Sequence, residues 1–195
     1  RIMEMAREAM QSSVHVAAGF LSPVHDRYGK EGMVPAAHRI AMADLYCRDS
    51  EWIGVYEWEA EQTEWQPTIR VIEQLEADLL QRLQQPFRVV LVGGTDLIAS
   101  FSQDGLWDQG DLERILRRGV VLIERDPYPF AKVLSMILAH PLLFAHRNAI
   151  TIVPQTVRNE VSSSMIRLLL RRGLSIDYLT SPQVTKYIQD HKLYQ

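Results

Sequence analysis

Phe87-Arg88-Val89-Val90-Leu91-Val92-Gly93-Gly94-Thr95-Asp96 is the stretch whose reading settles the fold class. Its first six residues are mostly apolar and rich in β-branched side chains, which predicts a buried strand over 87–92. Gly93 and Gly94 close the strand, and a short helix is predicted over 95–101. Glycine at this junction lets a ligand approach the backbone closely. Asp96 has two readings here, a cap for the next helix or an acceptor for a ribose hydroxyl. The junction is not a P-loop, because no Gly-Lys-Ser/Thr follows at the required spacing.

Working outward, strands and helices alternate. Toward the N-terminus, Pro86 breaks a long helix predicted from Pro67 to about Leu83, and Glu57 to Trp65 is a polar and aromatic segment. Trp52 to Tyr56 reads as a short strand. A helix opened by Pro35 runs to about Arg48. Val14 to Phe20 reads as a buried strand, with a turn at Ser22-Pro23 and a loop from His25 to Met33. Residues 2–11 read as a helix. Toward the C-terminus come a helix over 111–118 closed by Gly119, a strand over Val120–Ile123 and a helix over 129–139. A strand over Ile150–Val153, a helix from Ser163 to Arg172 stopped by Gly173, and a last helix over 182–191 complete the pattern. There is no internal repeat, and the break at 84–86 is too short to separate domains. A single domain over 1–195 is therefore expected. Such alternation implies a doubly wound α/β fold, a mainly parallel sheet with helices on both faces. Ligands in such folds sit beyond the carboxyl ends of the strands. The segments to inspect are thus 22–30, 57–65, 93–96, 125–128 and 154–164.

The bulk numbers agree with one globular chain. Of 195 residues, 47% are hydrophobic and 23% charged. The net charge of −3 gives no basic excess for nucleic acid. No apolar run approaches the ~20 residues needed to cross a membrane. The single cysteine, Cys47, excludes an internal disulfide and fits an intracellular compartment, cytoplasm or nucleus. No Cys/His cluster has zinc spacing, so no metal-ligating residues are assigned. The helical spacing of Ile2, Met5, Ala6, Ala9 and Met10 begins at once, with no capping residue before it. That predicts an N-terminally truncated domain.

Val161-Ser162-Ser163-Ser164-Met165-Ile166-Arg167 lies at a loop-to-helix junction. Serines there cap the helix, and the free N–H groups of its first turn can hold an anion. Arg167 follows within about a turn, and Arg171 stands one turn further on the same face, both able to fork onto phosphate oxygens. The plainer reading is a serine cap with solvated arginines. Trp58, Trp65 and Trp107 fall in or near post-strand segments, where an indole can stack on a flat or cationic heterocycle. Trp58 lies between Glu57 and Glu59, which makes it a poor core residue. Tyr28 and Lys30 stand on the loop after the first predicted strand.

Together these segments resemble the nicotinamide/nicotinate mononucleotide adenylyltransferases of the eukaryotic type. The matching stretches, in order, are Arg1–Arg7, Gly19–Lys30, Pro35–Arg39, Trp58–Trp65, Gly93–Leu97 and Val161–Gly173, with the tail from Tyr178 to Tyr194. The serine-rich motif marks the nucleotidyltransferase superfamily. The Ser-Pro-Val…Tyr-x-Lys loop and the Trp-Glu…Gln…Trp segment are specific to the family. The resemblance implies a Rossmann-like sheet and adenylyl transfer from ATP, with Mg²⁺, to a pyridine mononucleotide. The products are NAD or deamido-NAD and pyrophosphate. It leaves nicotinamide and nicotinate both open.

The resemblance also implies roles. Ser163, Ser164, Met165, Ile166 and Arg167 take the ATP-phosphate motif, with Arg167 as the catalytic residue and Asn159 near the ATP site. Lys30 stands near the mononucleotide phosphate, and Tyr28 and Glu59 join it in the substrate set. Trp58 and Trp107 surround the pyridine ring, and Thr63 contacts its amide. Gly94 and Asp96 take the ribose and adenosine side. The family often forms homo-oligomers. Two departures stand out: Met165 replaces a lysine common in eukaryotic members, and the family's Gly-x-Phe-x-Pro-x-Thr-x-x-His motif, with its first strand, is absent from this sequence. Two other readings stay open. One is a nucleotidyltransferase acting on pantetheine phosphate. The other is a non-catalytic NAD-binding or chaperone-like module.

Overall fold

The computed structural model describes residues 1–159 and 161–194. The helices are α1 (Ile2–Met10), α2 (Ala36–Cys47), α3 (Trp58–Glu61), α4 (Thr68–Leu83), α5 (Asp96–Phe101), α6 (Gln109–Arg118), α7 (Phe130–Ala139), α8 (Pro141–Ala145), α9 (Ser163–Arg171) and α10 (Pro182–Asp190). The strands are β1 (Gly19–Leu21), β2 (Ile53–Val55), β3 (Leu91–Gly94), β4 (Val120–Ile123) and β5 (Ile150–Val153). Every strand pairing among them is parallel, as the alternation predicts. The chain divides into two compact units, each assembled from two separate stretches.

The first unit joins residues 1–16 to 68–160 and holds the ladder β3-β4-β5. Its logic is visible in β4, Val-Val-Leu-Ile, every residue of which is buried. A parallel strand with both faces covered needs such a continuous apolar run. Val120 and Leu122 point into a core built with Ile69 and Ile72 of α4, Ile98 and Phe101 of α5, Leu112, Ile115 and Leu116 of α6, and Val133 of α7. Val121 and Ile123 point the other way, onto Met5 and Ala6 of α1. This is the doubly wound arrangement, read directly from the period of two in a strand. Each fully buried Leu, Ile or Val here contributes about 1.5–3 kcal/mol relative to an exposed one. Asp108 caps α6 through the Asp111 N–H at 2.9 Å, and Gly119 ends it at φ 105. Arg114 and Arg118 of α6 pair with Glu73 and Glu76 of α4 at 2.6 and 2.9 Å.

The second unit joins residues 17–67 to 161–195 and holds β1 paired with β2. Its core is smaller: Ile176, Val184, Ile188 and Leu193, with Met42, Leu45, Ile166, Leu169 and Leu170 packed against them.

Strand ends differ from the sequence expectation for definite reasons. Val14 is not in a strand, because its N–H and that of Ser13 both go to the Met10 carbonyl and wind up the end of α1. Regular pairing begins only at Gly19. The strand expected over 87–92 is shifted toward its carboxyl end, to 91–94. Val89 gives its N–H to the Glu76 carboxylate at 3.1 Å, outside any ladder. Two short helices, α3 and α8, escaped the periodicity because five residues or fewer show no helical repeat.

Candidate active site

In the second unit the loop after β1 is built from its own turn chemistry. His25 is buried and its Nδ1 accepts from the Arg27 N–H at 3.1 Å, capping a single 3-10 turn over Asp26–Tyr28. Gly29 at φ 73 and Gly32 at φ 71 supply the left-handed positions that turn the chain back toward α2. Tyr28 and Lys30 are carried exposed on this turn. Arg39, on α2, hydrogen-bonds to Val24, Asp26 and Val34 within the same stretch.

Trp58 and Glu59 begin α3, right after β2. Trp58 is partly buried and its carbonyl accepts from Gln62 Nε2 at 2.7 Å. Glu59 is buried, and its carboxylate accepts from the Ser22 hydroxyl at 3.4 Å. Burial pushes the Glu59 carboxyl above the usual range; hydrogen bonds from the His25 backbone and Ser22, and the nearby charge of Arg39, oppose that rise in part. Glu59 therefore ties the start of α3 to the loop after β1. Thr63 and Trp65 are exposed beyond α3, and Glu64 pairs with Arg27 at 3.7 Å.

The serine motif forms the N-terminus of α9, as the sequence predicts. Ser162 is the cap, its Oγ accepting from the Met165 N–H at 3.2 Å. Ser163 and Ser164 occupy the first two helical positions, whose N–H groups have no carbonyl one turn back inside the helix. Met165 is exposed, whereas Ile166 packs on the small core. Arg167 reaches back to the Ser164 hydroxyl at 3.2 Å. A Cβ built on Gly32 would lie 3.7 Å from Arg167 Nε and 3.9 Å from Arg171 Nη1, so the loop passes close to both arginine side chains. Tyr194 is near this group: burial raises its phenol pKa, and Arg167 and Arg39 lower it in part. Within this unit Glu59 meets the start of the loop that carries Tyr28 and Lys30, and Arg167 and Arg171 lie near Gly32 further along it.

In the first unit Gly94 ends β3. A Cβ there would collide with the Asp96 carboxylate and come within 2.6 Å of Arg125 Cδ. Asp96 is not the cap that one of its readings proposed. Thr95 holds the cap position, and Asp96 is the first residue of α5, with an exposed carboxylate. Trp107 lies edge-on to Phe101 with centroids 5.0 Å apart and donates from Nε1 to the Ser100 hydroxyl at 3.2 Å. Asn159 gives its backbone N–H to Gln155 Oε1 at 2.9 Å. Sequence reasoning passed over Thr95, which is fully buried. Its hydroxyl donates to the Tyr128 carbonyl at 2.8 Å and accepts from the Arg125 N–H at 2.9 Å. It also passed over Arg39. The available signals were a Thr directly after two glycines and a lone arginine in an otherwise mostly apolar helix.

The chain is thus an α/β protein with parallel strand pairings, a β3 that ends in Gly94 and an α9 that starts on a serine cap. A family model described as cytidylyltransferase-like matches residues 1–169. The nicotinamide/nicotinic acid mononucleotide adenylyltransferase of Schizosaccharomyces pombe is 36% identical over the whole chain, which covers 56% of it. The protein of that name from Arabidopsis thaliana is also 36% identical, with 82% of it covered. Nicotinamide/nicotinic acid mononucleotide adenylyltransferase 1 of Saccharomyces cerevisiae is 34% identical, with 51% covered. The chain spans about half the length of these two yeast relatives. It belongs to the cytidylyltransferase-like family and, within it, to the nicotinamide/nicotinic acid mononucleotide adenylyltransferases.

Proposed function

We propose that this chain transfers the adenylyl group of ATP to nicotinamide or nicotinate mononucleotide, giving NAD or deamido-NAD. An oxygen of the mononucleotide phosphate attacks the α-phosphorus of ATP, the bond to the β-phosphate oxygen breaks, and pyrophosphate leaves. Two anions must be brought together, so catalysis is chiefly positioning and charge balance. Arg167 and the N-terminus of α9 meet the charge growing on the leaving pyrophosphate, and Lys30 meets the mononucleotide phosphate. Ser163, Ser164, Met165, Ile166 and Asn159 belong to the ATP side in this reading. Tyr28, Glu59, Thr63 and the indoles of Trp58 and Trp107 belong to the mononucleotide side. Gly94 and Asp96 stand with the adenosine and its ribose.

The observation that carries the reading is the coincidence of two features in one chain. One is the start of α9, with Ser162 capping and Arg167 beside Ser164. The other is the Trp58–Trp65 segment, whose Trp-Glu…Gln…Trp pattern resembles that of the family. ATP enters as its Mg²⁺ complex. Among the described residues no group of three or more His, Cys, Asp or Glu side chains is placed to hold a metal, and Mg²⁺ is ordinarily held by phosphates and water. No helix among the described residues is long and apolar enough to cross a membrane. An intracellular site of action and a homo-oligomeric state belong to the same proposal.

The test is a coupled assay for NAD from ATP, nicotinamide mononucleotide and Mg²⁺, repeated with the nicotinate substrate. Formation of dinucleotide and pyrophosphate in equal amounts is expected. A folded chain that binds NAD but makes none overturns the reading in favour of a binding module. Adenylylation of pantetheine phosphate instead overturns it in favour of another acceptor.

A further inference from the structure

The loop that carries Tyr28 and Lys30 is closed by one side chain. The Arg39 guanidinium donates through Nη1 to the Val24 carbonyl at 2.6 Å, through Nη2 to Asp26 Oδ1 at 2.7 Å, and through Nε to the Val34 carbonyl at 3.0 Å. One planar fork thus joins both ends of the stretch from 24 to 34. The side chain of Arg39 is 12% exposed, so these bonds are largely shielded from competing water. At its start the same loop is anchored again, Ser22 and the His25 backbone meeting the buried Glu59 carboxylate. Toward its far end, Gly32 lies close to the side chains of Arg167 and Arg171.

We propose that Arg39 is a positioning residue that holds this loop in its working conformation before any substrate arrives. The inference rests on the adenylyltransferase reading and names the device that presents Lys30 and Tyr28 to the mononucleotide phosphate. In this role Arg39 acts through the loop, whose Val24, Asp26 and Val34 it holds, and not on the substrate itself. A loop already fixed loses little freedom on binding, and that freedom is otherwise lost at the expense of affinity. Lysine cannot replace the fork, because a single ammonium on a flexible stem does not reach three acceptors in one plane. The left-handed glycines at 29 and 32 would otherwise leave the loop with more conformations than most.

The test compares Arg39→Lys, Arg39→Met and Asp26→Asn with the wild type in two measurements. The first is tryptic cleavage after Arg27 and Lys30 in the folded protein, with the unfolding midpoint recorded alongside. The second is KM for the mononucleotide and KM for ATP, determined separately. Cleavage in the Met variant should quicken ~10-fold or more, and mononucleotide KM should rise ~10-fold or more while ATP KM stays within ~3-fold, as for a misplaced binding group. Arg39→Lys and Asp26→Asn should lie between. Unchanged cleavage in all three folded variants overturns the proposal, as does faster cleavage with an unchanged mononucleotide KM. Absence of NAD formation by the wild type is a separate result. It removes the adenylyltransferase reading, and cleavage alone then decides whether Arg39 holds the loop.

Discussion

The hydroxyl of Thr95 stands 2.9 Å from the backbone N–H of Arg125 and accepts its hydrogen bond while donating to the carbonyl of Tyr128. Two post-strand turns, one after β3 and one after β4, are fastened through this buried atom. Thr95→Val keeps the shape and removes the fastening, leaving a buried donor and an acceptor unmet. Each such group costs about 1–3 kcal/mol, so urea unfolding should show a loss of that order, with Thr95→Ser close to wild type. Equal losses in the two variants would show that shape, not the hydroxyl, matters.

Gly93 and Gly94 should respond differently to alanine. At Gly93 a Cβ meets the Leu97 side chain, most closely at Cδ2, 3.0 Å away at its flexible end. At Gly94 it meets the Asp96 carboxylate and the Arg125 stem together. Gly94→Ala is expected to destabilise by about 1–3 kcal/mol, as overpacking does, and Gly93→Ala by clearly less. A reversed order in chemical unfolding refutes the geometric account.

Trp58→Ala should weaken mononucleotide binding by about 1–3 kcal/mol through lost stacking on a flat, cationic ring. Calorimetric titration reads this directly, and an unchanged affinity removes Trp58 from the site. Arg167→Ala should instead lower turnover by roughly 10²–10³-fold, the usual consequence of removing one donor from a developing charge. Turnover at the wild-type level would make Arg167 a surface residue.

Glu59 gives a pH signature. Its pKa is raised in the folded protein, chiefly by burial. A carboxyl of this kind binds its proton more tightly folded than unfolded. Its favourable contribution is therefore whole below the ordinary value near 4.5 and is lost as pH rises through the folded value. Wild type should accordingly lose stability relative to Glu59→Gln over a window opening near pH 4.5 and running upward. Parallel stability profiles for the two proteins would show that the carboxyl is solvated after all.

Much of this fold is legible in the sequence, because burial leaves a period. β4 is apolar at every position and is covered on both faces; α6 shows its stripe at Leu112, Ile115 and Leu116. The start of α9 is legible too, since serine caps act locally. What hides is non-local. That Glu59 turns inward to Ser22, and that Arg39 ties Val24 to Val34, depends on chain segments meeting in space. No spacing rule within one segment encodes such a meeting. The ends of β1 and β3 hide for the same reason, because a strand ends where its partner's hydrogen bonds end.

The second unit is made of two stretches separated by the whole of residues 68–160. His38 and Tyr187 meet at 2.9 Å across 149 positions. During synthesis Met42 and Leu45 leave the ribosome before the residues they pack against, Ile176, Val184, Ile188 and Leu193. At ordinary translation speeds that wait lasts on the order of 5–20 s. The unit that carries Tyr28, Lys30 and Trp58 can therefore close its small core only after α10 has been translated.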